Sequence, residues 1–596
     1  MIPNLNEATI HRHTVDQSFE RGRECYQRGA VVSLVQRGTA LSALVEGSDV
    51  HPYRVRIGFD KGGITSAVCT CPYDFEGWCK HIVAVLLTCV HNPDHIEQRA
   101  ELAELLGPLS REQLETVLKN LVDEWPEWVD TIEQKIVCLS QAAAQPQPSK
   151  ASVRQSLPRR TLVDPAPIER QVQYVIDSYV GQWNDAPAID EVRQIVCKAD
   201  KFLEQGDGNN ALIILRAVTR AYTRDWMNLD GSSGESGIFF EELDESLTEA
   251  LLSAELSAGD RQQWQHDLET WQADVEDYGV DSFHMSLTAL EQGWDYGPLQ
   301  RVLQGEMPEL GTWAEEAPDY ADDLARIRLR ILERQGRYAE YLHLAEVEGL
   351  TDRYLQMLAK LGRTEDAIAQ AHHQMRTTDE ALTLAQTLRE QGNLEQALHI
   401  AYQGLTLDGY SKHQLAEWTS ELAAGMGQPD IALKARITAF QTYPSLADYQ
   451  KLQELAGEQW ADLKPDLLSA LRDKGQYGWE AARVDIFLAE GLLDEAIATV
   501  DQMSFYQSET IQAVMDAAVA YRPDWVIENA RQQAESIMDA GKAKYYSQAI
   551  EWLRRVRAAY LQLGQPQVWQ QYRADLMRIH SRKYKLTSML QGRELD

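Results

Sequence analysis

In the helix-patterned part of this chain a glycine between two helical stretches is repeatedly followed, five positions later, by an alanine, as at Gly206/Ala211, Gly362/Ala367, Gly392/Ala397, Gly427/Ala432 and Gly491/Ala496. Each pair stands where one helix-patterned stretch ends and the next begins. A glycine at that place accepts the left-handed backbone that closes a helix. A small alanine in the next helix lets two helices come close. In Gly392-Asn-Leu-Glu-Gln-Ala397, Leu394 and Leu398 share one face, and Ala397, Ala401 and Leu405 share another. From about Ile168 to the C-terminus nearly everything carries this helical spacing. A chain built this way is expected to stack helix pairs rather than to build a large sheet.

Gly362, Gly392 and Gly427 are 30 and 35 residues apart, which brackets the period of about 34 of tetratricopeptide repeats. This stretch resembles degenerate tetratricopeptide repeats, and the resemblance implies a solenoid with an extended binding surface. The alternative is a generic helical bundle. The net charge of −34 is uneven: residues 1 to 95 carry 9 Lys/Arg against 10 Asp/Glu, leaving −33 for the rest. So acidic a body repels nucleic acid and anionic membrane as a whole. With 44% hydrophobic residues the chain can bury a core, so it is not mainly disordered.

The first 95 residues read differently. A helix is expected over about Thr14 to Arg28, ended by Gly29. Strands follow at Ala30–Val35 and Leu41–Glu46, then at Tyr53–Asp60, where Tyr53, Val55, Ile57 and Phe59 alternate with polar residues or glycine. Lys61-Gly62-Gly63 turns the chain into a strand ending at Cys69, and Lys80 to Val90 reads as a helix stopped near Asn92-Pro93. Beyond it, Ser110 and Gln113 have capping-box spacing. Five prolines between 146 and 167 mark a linker.

One group of residues carries chemistry. Cys69-Thr-Cys71 and Cys79-Lys-His81 stand within 13 residues of each other. Two positions apart at a strand end, Cys69 and Cys71 point the same way. Cys79 and His81 open the next helix, whose N-terminal dipole favours a thiolate. Three thiolates and one imidazole make a closed structural zinc site with no position left for a substrate. Seven cysteines, an odd number, do not form a disulfide framework. The pattern is that of the SWIM zinc finger, C-x-C-x(n)-C-x-H, and this chain resembles that family. The spacing Phe19, Gly22, Tyr26, Gly29, the hairpins, the ligand-bearing helix and the segment beginning Leu109-Ser110 are also similar. The acidic helical body and the run Arg582-Lys583-Tyr584-Lys585-Leu586 look like the long bacterial members. The resemblance implies that Cys69, Cys71, Cys79 and His81 bind one zinc ion. It also implies DNA binding or protein–protein interaction, since the family is associated with both.

Other motifs point to bland readings. Cys89, His91 and His95 are expected to be a core thiol and surface histidines. Gly206-Asp-Gly208-Asn-Asn-Ala211 matches a dinucleotide fingerprint but lacks the strand before it, so it reads as a repeat turn. In Gly404–Lys412, Tyr410 stands where a phosphate-binding lysine is required. Asp230–Glu245 reads as a solvated acidic loop with exposed Phe239 and Phe240, leading into a helix. The basic C-terminal segment, with Arg554, Arg555, Arg557, Arg578, Arg582, Lys583 and Lys585, is expected to pair with the acidic body or to cap the array. Arg21, Arg23, Arg28, Arg54, Arg56 and Lys80 form a small basic surface in the first unit, with Tyr73, Phe75 and Trp78 in the zinc loop either free for base stacking or packed on the first helix.

The expected fold is mainly α: a small N-terminal zinc-bound α+β unit (1–95), a helical extension (96–145), a Pro-rich linker (146–167) and an α-helical repeat domain (168–596). The expected function is a zinc-binding, non-enzymatic adaptor for protein partners within a DNA-associated assembly. The alternative is a nucleic-acid-binding protein using the zinc unit and the linker arginines. No membrane partner, small-molecule substrate or catalytic residue is expected, and a cytoplasmic location is.

Overall fold

A computed structural model describes residues 5–47, 49, 51–73, 77–124, 163–472, 478–503, 508–592 and 595. They form two units: residues 1–101 with 401–596, and residues 102–400.

In the first unit the N-terminal part is a sheet backed by helices. Helices α1 (Glu7–Arg12) and α2 (Asp16–Gln27) precede strands β1 (Val31–Arg37), β2 (Ala40–Val45), β3 (Tyr53–Asp60) and β4 (Gly63–Cys69). Helix α3 (Lys80–His91) and a short β5 (Glu97–Gln98) complete it. The sheet order is β4-β3-β2-β1-β5, antiparallel except for the β1–β5 pair. Period-two patterning is realised: Tyr53, Val55, Ile57 and Phe59 are buried, while Arg54 and Arg56 face outward beside Leu44 and Ser42. Helix α3 is buried from His81 to Cys89 because α2 lies on one side of it and the sheet on the other. A helix apolar all round belongs in that position.

Close packing of α2 on α3 needs Gly22. A Cβ there would stand 2.4 Å from Val83 Cγ1 and 2.5 Å from Val83 Cβ. Neither α1 nor β5 is expected from the sequence pattern. Each is too short for a periodic signal, and β5 forms only by pairing with Val35 and Gln36 of β1.

The remaining described structure is helical. All five glycine–alanine turns form as read: Gly206, Gly362, Gly392, Gly427 and Gly491 have φ between 70° and 82°, and their alanine partners are fully buried. In each, the glycine N–H and the next N–H bond back onto the helix just ended, as in Gly392 to Arg389 O and Asn393 to Leu388 O. The same turn occurs at Gly336 and Gly564, where buried Tyr341 and Trp569 replace the alanine. An alanine-based search of the sequence passes over these two.

Two expectations change here. The helix after the linker starts at Pro165, not Ile168. Asp164 caps it, and Pro165 takes the first-turn position that lacks an N–H partner anyway. Residues 146–162 of the linker lie outside the described residues, as do 125–145 of the helical extension. Phe239 and Phe240 are buried rather than exposed, packed on Tyr222, with Trp226 also against Phe240, because helix Glu235–Ser253 turns that face inward. The capping box forms as expected: Ser110 N donates to Gln113 Oε1 at 2.8 Å and Gln113 N to Ser110 Oγ at 3.3 Å.

Candidate metal centre

Cys69, Cys71, Cys79 and His81 converge, and one donor atom from each lies within 4.8 Å of the others. Two elements bring them together. Cys69 is the last residue of β4, paired with Val55 of β3. The pairing continues one step further: Thr70 N bonds Arg54 O at 3.0 Å, and Arg54 N bonds Thr70 Oγ1 at 2.9 Å. This fixes Thr70 against β3, and the chain bends at Thr70 and Cys71 just after β4 ends. Cys79 is the N-cap of α3, and His81 lies in its first turn.

The distances suit zinc. A tetrahedral ion with Zn–S of about 2.3 Å and Zn–N of about 2.0–2.1 Å sets S···S near 3.8 Å and S···N near 3.6 Å. His81 Nδ1 lies 3.7 Å from Cys69 Sγ and 4.0 Å from Cys79 Sγ. Nδ1 is therefore the ligand nitrogen. The imidazole is 2% exposed and lies against the Tyr53 ring at 4.4 Å. Beside its Nε2 is Gly47, where a Cβ would approach to 3.1 Å.

The electrostatics fit a dication as well. Hydrogen bonding from Cys69 pulls the Cys79 thiol well below its ordinary range, helped by His81 and the Ile82 amide. Cys69 is pushed up by its hydrogen bond to Cys79 and by burial, and Cys71 chiefly by burial. Protein groups alone thus favour one thiolate. A zinc ion supplies the charge that lets three coexist, so binding releases protons and adds to folding. Four protein donors fill a tetrahedral ion and leave no position for substrate.

The loop between the doublets is pinned to the N-terminal helices. Ser18 Oγ donates to Tyr73 OH at 3.0 Å, Trp78 N donates to His13 O at 2.7 Å, and the Trp78 ring stacks on His13 at 4.6 Å. Gly77 (φ 81°) forms a bridge with Thr14. Tyr73 and Trp78 are therefore packed, not free for base stacking, and Phe75 lies outside the described residues. The anchoring residues Ser18, His13 and Thr14 carry no ligand signal, and sequence reasoning passes over them.

The other candidates resolve as the bland readings. Cys89 is buried, its thiol pushed up to about 12 by burial, while His91 pairs with Glu7 at 2.7 Å. Asp207 caps the helix after Gly206, bonding Asn210 N at 3.2 Å. Arg23 pairs with Glu20 and Glu7, and Arg28 bonds Glu46 O. At the C-terminus Arg555 pairs with Asp516, Arg554 with Glu551 and Arg578 with Asp575. Arg573 bonds the carbonyls of Leu590 and Leu595.

This arrangement defines a small zinc-stabilised α+β module on a mainly helical chain. Residues 53–90 match the SWIM zinc finger family model, and that segment is a SWIM zinc finger. The chain is 33% identical over 123 residues to zinc finger SWIM domain-containing protein 8 of Bos taurus and of Homo sapiens. A Drosophila melanogaster homolog of that protein is 34% identical over 120 residues. The matched segment is 20% of this chain but only 9%, 7% and 6% of these relatives' lengths. No described helix is long and apolar enough to cross a membrane.

Proposed function

We propose that this chain is a non-enzymatic interaction protein, in which the SWIM unit and the helical body each present a surface to protein partners. The observation that carries the reading is the closed donor set: Cys69, Cys71, Cys79 and His81 satisfy a zinc ion completely, which suits a structural role. Support comes from the C-terminal basic residues, several of which are spent within the chain on Asp516, Glu551, Asp575 and terminal carbonyls. Glycine-closed helix turns of the tetratricopeptide kind build extended surfaces suited to peptides and protein faces. The net charge of −34 over the whole chain favours such partners over bare nucleic acid.

A nucleic-acid reading has one observation in its favour: Arg54 and Arg56 are exposed on the outer sheet face. A pull-down from cell extract, with and without nuclease, separates the two. The intact chain and a His81→Ala variant are compared. Proteins retained after nuclease and lost with His81→Ala assign a protein contact to the zinc unit. Recovery that collapses with nuclease overturns the adaptor reading in favour of direct nucleic-acid binding.

A further inference from the structure

Three consecutive helices in the C-terminal part of the first unit, Lys412–Gly425, Pro429–Thr442 and Leu446–Ala456, send charged side chains to one point. His413 and Glu417 come from the first, one turn apart. Arg436 comes from the second and Asp448 from the third. Arg436 and Asp448 are buried, at 1% and 3% exposure. Arg436 Nη1 donates to Asp448 Oδ1 at 2.6 Å and to Glu417 Oε1 at 2.9 Å. On the other side, His413 Nε2 lies 3.4 Å from Asp448 Oδ2, and His413 Nδ1 lies 3.5 Å from Glu417 Oε2. Each carboxylate thus gives one oxygen to the arginine and the other to the imidazole.

The four groups form a closed ring in which charge alternates when the imidazole is protonated. With neutral histidine, two carboxylates share one buried guanidinium, and Glu421, 3.9 Å from Arg436 Nη2, adds a third negative charge nearby. Of the other groups near His413, Lys412 pairs with Asp408 at 3.6 Å, and the Tyr443 ring meets the imidazole edge-on at 5.9 Å. Ser445 Oγ donates to Asp448 Oδ2 at 2.8 Å, fixing that carboxylate. The guanidinium already occupies the place of a cation between the carboxylates, so the ring is complete with a proton and needs no metal ion.

We propose that His413 is a pH-sensitive clasp: as imidazolium it ties helix Leu446–Ala456 to helix Lys412–Gly425, and as neutral imidazole it lets that seam loosen. The acidic surroundings raise the His413 pKa, chiefly through the hydrogen bond to Asp448, against burial and Arg436. A histidine raised by folding gives stability that is complete below its ordinary pKa of about 6.5 and is lost as pH rises through the folded value. The clasp is therefore tight in mild acid and slack in mild alkali, and it offers a way to vary the stiffness of a partner-binding helical surface.

Hydrogen exchange of the intact, zinc-loaded chain tests this at about pH 6 and about pH 8.5, with rates corrected for intrinsic exchange, in wild type and His413→Gln. Each unit of pKa elevation is a tenfold change in the opening equilibrium. Amides of 412–425 and 446–456 should therefore lose protection severalfold more in wild type than in the variant as pH rises. Glu417→Gln removes one carboxylate and should move the wild-type midpoint to lower pH. Equal pH responses in wild type and His413→Gln overturn the clasp. So does metal analysis showing that wild type carries one divalent ion more than His413→Gln, which would make the cluster a metal site.

Discussion

Replacing Gly22 with alanine should disturb the zinc site although Gly22 touches no ligand. The added Cβ would lie 2.4 Å from Val83 Cγ1, 2.5 Å from Val83 Cβ and 3.0 Å from Lys80 O. Ordinary contact begins near 3.5 Å, so about 1 Å must be found. Turning the Val83 side chain does not find it, because Val83 Cβ is fixed to its backbone. Helix α3 itself must move, at the turn that carries Cys79 and His81. Overpacking of this kind costs about 1–3 kcal/mol, and the better helix propensity of alanine returns about 1 kcal/mol. The net loss is then up to about 2 kcal/mol. A zinc site tolerates donor shifts of only about 0.2 Å, so part of that loss should appear in zinc affinity.

Chelator competition on the intact chain reads the affinity, and the Co2+-substituted spectrum reads the ligand geometry. Gly29→Ala is the control: Gly29 has φ 71° but open space around it, so alanine there meets backbone strain alone. If Gly22→Ala binds zinc as tightly as wild type with an unchanged cobalt spectrum, α2 does not set the position of α3 and the reasoning fails.

Other consequences follow from particular residues. Cys69→Ser, Cys71→Ser, Cys79→Ser and His81→Ala should each lower zinc content toward zero at limiting metal, whereas Cys89→Ala should leave it at one per chain, both read by metal analysis. Ala397→Leu forces extra carbons into a fully buried interface and should cost about 1–3 kcal/mol in denaturant unfolding. Gly392→Ala, at φ 82° with open space, should cost only about 1 kcal/mol. Arg573→Ala removes its bonds to the Leu590 and Leu595 carbonyls, leaving Leu595 O with the Trp569 indole N–H, and should speed hydrogen exchange in helix Tyr584–Leu590 severalfold, without changing zinc content.

The zinc ligands are legible in the sequence because soft donors at fixed spacing have few other uses in a chain with so few cysteines. The glycine turns are legible because only glycine accepts the left-handed backbone cheaply. What the sequence hides is what long-range contacts decide. Phe239 and Phe240 sit in an acidic stretch that reads as a solvated loop, yet Tyr222 and Trp226 from another helix cover them. His13, Thr14 and Ser18 pin the zinc loop across more than fifty residues of chain. Arg436 carries no signal in the sequence, and only the fold brings Glu417 and Asp448 onto it.

The two kinds of buried polar group in this chain work differently. At the metal centre, three thiols and an imidazole converge in a way that protein charges alone do not balance, and a bound ion would join the end of β4 to the start of α3. At the His413 ring, the protein supplies its own cation in Arg436, and the remaining imbalance is one proton. Zinc loss should therefore act as an all-or-none loss of local structure in the N-terminal module, while pH should act on the helical seam by degrees. A zinc titration and a pH titration of the same chain, followed by hydrogen exchange in both segments, should separate these behaviours. Chelation at constant pH should leave protection in 446–456 unchanged. A fall there on zinc removal would show that the seam takes its stability from the zinc module rather than from its own charges.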